Sequence, residues 1–156
     1  MIVDVKELCF SEYKGKCRVL CIDYGDKRVG IAISDINWLI ASPLVVLDSQ
    51  GVYRGILDIV ETNKIGVIVV GAPLALNGAK GGKQLGKVNN FVQKLNEMCE
   101  CVAIVMWDER MSTCGAQRIL TGCGSRIHRN KLIDKVAASF ILEGFLDHVT
   151  NTIAVS

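Results

Sequence analysis

Two unbroken apolar runs, Ile65–Gly71 (IGVIVVG) and Cys101–Trp107 (CVAIVMW), limit what this chain can fold into. A strand without alternating polar positions must be covered on both faces, the condition of parallel strands inside an α/β sheet. Between the runs, residues 83–98 place Leu85, Val88, Val92 and Leu95 on one side of a helix. This predicts a β-α-β unit. The chain has 156 residues, is 50% hydrophobic and has a mean hydropathy of +0.33. That suffices for one domain with a full core.

Upstream, CRVLCIDYGDKRVGIAISD reads as a β-hairpin, with strands at 17–24 and 28–34 around Tyr24-Gly25-Asp26-Lys27-Arg28. Residues 38–47 predict a third strand, with Pro43 marking an edge or a bulge. Helices are expected at 3–12, 51–63, 112–121 (capped by Ser112 or Thr113) and 130–147, and a Gly-rich loop at 71–82. The result is an α/β fold. Its five-stranded mixed sheet, three antiparallel strands then two parallel ones, is flanked by helices. One domain is expected over 1–156, with residues 1–15 preceding a core at about 16–148. There is no linker, repeat or low-complexity block.

No apolar run reaches the roughly 18 residues of a membrane span, and the N-terminal stretch lacks a signal-peptide pattern, so a cytoplasmic location is expected. The net charge of +2 neither demonstrates nor excludes a nucleic-acid partner. Seven cysteines, at 9, 17, 21, 99, 101, 114 and 123, form no C-x-x-C pair and read as reduced, mostly buried small hydrophobes. Only His128, expected in a loop, and His148, expected at a helix C-terminus, could join them at zinc, whose ligands would need to cluster.

Acids stand at the ends of these elements. Asp23 closes the first hairpin strand, Asp108 and Glu109 follow the last strand, and Asp134 lies among the apolar residues of the final helix. Asp23 alone also reads as a turn residue bonding to local amides. Together the acids suggest a metal site, because open α/β sheets bind ligands at the carboxyl ends of their strands. Hard carboxylate oxygens suit Mg²⁺ or Mn²⁺, and two such ions support phosphodiester cleavage. Basic residues lie nearby: Lys27 and Arg28 in the hairpin turn, Lys80, Lys83 and Lys87 in or near the Gly-rich loop, Arg110 after Glu109, and Arg126, Arg129 and Lys131 before Asp134. Each group alone is ordinarily a solvated surface. Gathered at one end, they favour phosphate contact. Trp38 and Trp107 read as core or sheet-edge residues.

The segments RVLCIDYGDKRVGIAISD, VIVVGAPLALNGAKGG, WDERMST and IDKVAASFILEGFLD occur in that order. Together they resemble the YqgF/RuvX family of pre-16S rRNA nucleases and Holliday-junction-resolvase-like proteins, over about residues 17–147. The resemblance implies an RNase H-like fold. It places a catalytic, metal-binding set on Asp23, Glu109 and Asp134, with Asp108 as the fallback if the strand register slips by one. The loop 71–82 resembles the family's Gly-x-Pro-Leu loop, with Ala72 and Ala75 where larger or polar residues are expected.

The implied activity is a Mg²⁺- or Mn²⁺-dependent nuclease acting on structured nucleic acid, in 5′-end processing of pre-16S rRNA, as a monomer or weak homodimer. A Holliday-junction resolvase would apply the same chemistry to branched DNA and would need a symmetric dimer. A non-catalytic nucleic-acid-binding module is a further alternative, disfavoured by retention of all three acids. The Asp-x-Gly hairpin also resembles that of actin-type ATP-binding domains, but those need a second comparable domain.

Overall fold

The computed structural model describes residues 1–72, 81–108 and 126–155, and at 81, 126–135 and 155 the backbone alone. The elements are β1 (Ile2–Val3), α1 (Phe10–Tyr13), β2 (Arg18–Tyr24), β3 (Arg28–Ser34), β4 (Ala41–Asp48), α2 (Val52–Thr62), β5 (Ile65–Ala72), α3 (Gly81–Met98), β6 (Ala103–Asp108) and α4 (Arg126–Val155). The described strands form one sheet in the order β1-β6-β5-β2-β3-β4. β2, β3 and β4 are antiparallel neighbours, while β5 runs parallel to β2, β6 to β5 and β1 to β6. β5 lies near the middle and is buried at every position but Gly66, which explains its unbroken apolar sequence.

The pleat sorts side chains strictly by parity. Leu20, Ile22, Ile68, Val70 and Ile104 face α2 and α3, where Ile56, Val88, Phe91 and Leu95 meet them. Val19, Cys21, Val67, Val69, Val105 and Trp107 face α4, against Leu142, Phe145 and Val149. Two apolar layers thus enclose the sheet, and α4 packs chiefly on β2, β3 and β4.

Several expectations need correction. The sheet has six strands, not five, because Ile2–Val3 adds a strand beside β6, in register with Ile104 and Val105. The helix expected at 3–12 is therefore this strand, an intervening turn and the four-residue α1. The third strand begins at Ala41, not at 38; Trp38 sits in the preceding loop at φ 60°, buried to 1% exposure, with its Nε1 donating to the Cys17 carbonyl at 2.8 Å. His148 is inside α4, its ring centroid 5.2 Å from that of Trp107, rather than at a helix end. Cys9 and Cys101 are exposed, whereas Cys21 and Cys99 are buried as expected. The helix expected at 112–121, with Cys114, Cys123 and most of the 71–82 loop, lies outside the described residues. Among the described residues, no helix is long and apolar enough to cross a membrane.

Pro43 does mark an edge. β4 is the outermost strand, and its pairing with β3 slips between Ile31 and Ala32, so that Ile31 faces Val45 and Ala32 faces Pro43. The extra residue is a bulge.

The loop that carries Trp38 is organised by Asp35. Its carboxylate accepts backbone N–H groups from Asn37 (3.0 Å), Leu39 (2.6 Å) and Ile40 (2.8 Å). Desolvation pushes this carboxyl up, but the amides of Ile40, Leu39 and Asn37 outweigh it and hold the pKa below its ordinary value of 3.8. A depressed carboxyl stabilises the fold above its unfolded pKa and loses that contribution as pH falls through the folded one. Asp35→Ala is expected to cost about 1–2 kcal/mol at neutral pH, like the loss of other capping side chains. The difference from the parent should shrink as pH falls below about 4. Thermal melts of both chains across that range check it, and a pH-independent difference would assign the effect to packing instead.

Candidate nuclease site

Asp23 is the next-to-last residue of β2, half-buried, and pairs with Gly30 of β3. By parity with Val19 and Cys21 its side chain points to the α4 face. On the other side, Ile22 pairs with Val70 and Val70 with Met106. One step further, Asp23, Gly71 and Trp107 lie abreast, with Gly71 and Trp107 paired directly. Asp23 is thus flanked by a glycine on each neighbouring strand. Those positions have no side chain to cover the carboxylate, and a glycine inside a strand commonly marks close approach by a ligand. Trp107, beyond Gly71, has its indole on the same face. Gly30 and Gly71 were not singled out from the sequence; isolated glycines inside strand patterns were the available signal.

The turn after Asp23 is tight. A Cβ on Gly25 would lie 2.5 Å from the Arg28 carbonyl oxygen, so only glycine fits. Asp26, at the tip, accepts a 2.6 Å salt bridge from Lys87 of α3. Both side chains are about half exposed (48% and 56%), so the pair ties α3 to the hairpin only weakly and is readily exchanged.

The pleat turns Asp108 away from the face of Asp23. Asp108 ends β6, where Trp107 belongs to the α4 face and Met106 packs on the α2/α3 face. Alternation therefore turns Asp108 to the α2/α3 side. It borders a cavity of about 480 Å³ beside β1, together with Asp4, Lys6, Met106 and Trp107. Asp134 lies on α4, the helix that covers the Asp23 face, with only its backbone described. Glu109, Arg110 and Lys80 lie outside the described residues, and Arg126, Arg129 and Lys131 are placed on the first turns of α4 by backbone alone. Lys27, Lys83 and Lys87 are exposed and Arg28 is half-buried. Among the described residues no three His, Cys, Asp or Glu side chains cluster as a metal would need.

An antiparallel hairpin followed by parallel strands, covered by helices on both faces, is an α/β fold of the RuvC-like kind. Thermus thermophilus RuvC superposes with a TM-score of 0.52 at 12% identity, covering 85% of this chain and 96% of that one. The same protein in complex with a Holliday junction substrate gives 0.54 at equal coverage. A family model described as RuvX, Holliday junction resolvase, matches residues 17–148. A Staphylococcus epidermidis protein named "Putative pre-16S rRNA nuclease" is 39% identical, over 86% of this chain and 98% of its own length. A Thermoanaerobacter pseudethanolicus protein of the same name is 38% identical, over 86% and 99%. A Bartonella tribocorum relative, also of that name, is 34% identical over 96% of this chain and 97% of its own. The chain belongs to the RuvX family.

Proposed function

We propose that this protein is a divalent-cation-dependent endonuclease that processes the 5′ end of pre-16S rRNA. The observation that carries the reading is Asp23 at the carboxyl end of β2, cleared on both sides by Gly30 and Gly71, on the face covered by the helix that bears Asp134. Relatives named for pre-16S rRNA cleavage support the substrate. Asp23, Glu109 and Asp134 are proposed as the catalytic, ion-holding set. Glu109 is preferred to Asp108 because alternation turns Asp108 to the α2/α3 side, away from the Asp23 face. The donor chemistry fits: the set is all carboxylate oxygen, and the buried Cys21 and the Trp107-packed His148 are poorly placed as soft or nitrogen ligands. When bound, Mg²⁺ or Mn²⁺ supplies an activated water and charge stabilisation at the leaving oxygen. Asp23 and its partner acids would hold that ion, while Lys27, Arg28, Lys83 and Lys87 orient the phosphate backbone; Lys80, Arg110, Arg126 and Arg129 are proposed for the same role from the sequence.

The family description and the RuvC-like fold favour a second reading, a resolvase of four-way DNA. Incubating the protein with labelled pre-16S precursor and with a four-way junction, in Mg²⁺, Mn²⁺ or EDTA, separates the two. Cation-dependent cleavage of the precursor is expected. Paired symmetric cuts in the junction alone would assign the resolvase activity, and no cleavage of either would leave a binding module.

A further inference from the structure

Tyr24 follows Asp23 but points to the opposite face of the sheet, where it packs on the α2/α3 layer. Its ring lies 4.7 Å from that of Phe91 on α3, and Phe91 in turn stacks on Tyr53 of α2, with centroids 5.3 Å apart and planes 29° apart. The Lys94 ammonium sits 5.6 Å from the centre of the Tyr53 ring. These side chains line an open trough of about 470 Å³, together with Lys87 and Asn90. Lys83, Lys87, Asn90 and Lys94 are all exposed and follow one another at intervals of four, three and four, so they share one face of α3. That stripe is about 16 Å long at 1.5 Å per residue, long enough to follow a few successive phosphates of one strand.

We propose that this trough binds a single-stranded stretch of the RNA substrate, with one base stacked on Tyr53 and the adjoining phosphates on Lys87 and Lys94. The inference rests on the nuclease reading for the identity of the strand. A cationic track interleaved with aromatic rings is the chemistry that holds single-stranded nucleic acid without regard to sequence. Tyr24 supplies continuity: it is the residue after Asp23, so a strand leaving the cleavage site over the end of β2 enters the trough beside it. Both present contacts of the lysines are replaceable. Lys87 leaves an exposed carboxylate, Asp26, for a phosphate, and the exposed ammonium–ring contact of Lys94 is weaker than base stacking. Burial, and then the neighbouring Tyr24, hold the Tyr53 phenol above its ordinary pKa, so the ring meets the strand uncharged. Glu97, one turn beyond Lys94 on α3, also lines the trough and limits the cationic track.

The test uses the full chain carrying Asp23→Asn, to suppress cleavage, and a short labelled oligoadenylate containing one 2-aminopurine. Tyr53→Ala is expected to weaken binding about tenfold and to abolish the fluorescence quenching that reports stacking. Tyr53→Phe should keep both, which separates loss of the ring from loss of the fold. Lys94→Gln should weaken binding and lower the salt slope by about one unit. Unchanged affinity and quenching in Tyr53→Ala, or equal losses in Tyr53→Phe, would overturn the proposal. The two readings separate in chains that retain Asp23: precursor cleavage indifferent to Tyr53 and Lys94 refutes the trough alone, and Tyr53-dependent binding without any precursor cleavage refutes the nuclease alone.

Discussion

Asp23→Asn is expected to lower precursor cleavage by about a thousandfold or more, roughly 4 kcal/mol in the barrier, while RNA affinity holds or improves. Asparagine keeps the volume that fits between Gly30 and Gly71 and keeps one oxygen acceptor. It removes the negative charge that would hold a cation against the scissile phosphate. With that charge gone, repulsion between the site and the RNA backbone falls as well, which accounts for the expected affinity. Single-turnover rates at saturating protein, alongside anisotropy titrations of the same RNA, separate the two quantities. Calorimetric titration with Mn²⁺ should also show weaker uptake than in the parent chain. Equal losses of rate and affinity would make Asp23 a structural residue at the end of β2, and unchanged Mn²⁺ uptake would remove it from the ion-holding set.

Phe145→Ala is expected to cost about 3–5 kcal/mol and to lower the melting temperature by on the order of 10 °C. Phe145 has no exposed surface. Its ring meets three others from separate parts of the chain: Phe10 at 6.5 Å, Trp38 at 6.3 Å and Trp107 at 5.5 Å, the last edge-on at 89°. Truncation leaves a void bounded by rigid indoles, which collapse into it poorly. Denaturant melts give the free energy. A loss below about 1 kcal/mol would mean that α4 repacks, as cores do on volume-conserving change. The same residue tests the site indirectly, because Trp107 both packs on Phe145 and shares the face of Asp23.

The central layout was legible because it rests on local pattern. The runs at 65–71 and 101–107 could only be doubly covered strands, and the apolar arms around Tyr24–Arg28 could only pair with each other. β1 was not legible, because two residues carry no periodicity and their partners, Ile104 and Val105, lie about a hundred positions away. Trp38 was misplaced into a strand because its hydrophobicity serves the core from a left-handed loop residue, a role that side-chain character does not reveal. Asp23 was identifiable as an acid at a strand end. The facing of Asp108 was not, since a pleat distinguishes neighbours only once the strand is anchored to its helices, here by Met106 on one face and Trp107 on the other. The Tyr24–Phe91–Tyr53 stack was invisible for another reason: its rings come from three elements, and no spacing in the sequence relates them.

The bulge at Pro43 has a consequence for the chain in crowded surroundings. A flat outer strand is a template onto which a stranger's backbone can zip, propagating one added strand at a time. On β4 that template is interrupted: Pro43 has no N–H to offer an incomer, and the slipped register beside it breaks the repeat a second strand would have to match. The opposite margin of the sheet is a strand of only two residues, too short to seed such growth. Copies of this protein that meet while concentrated or partly unfolded are therefore held back from fusing sheet to sheet, and any durable association between them must be written in side chains.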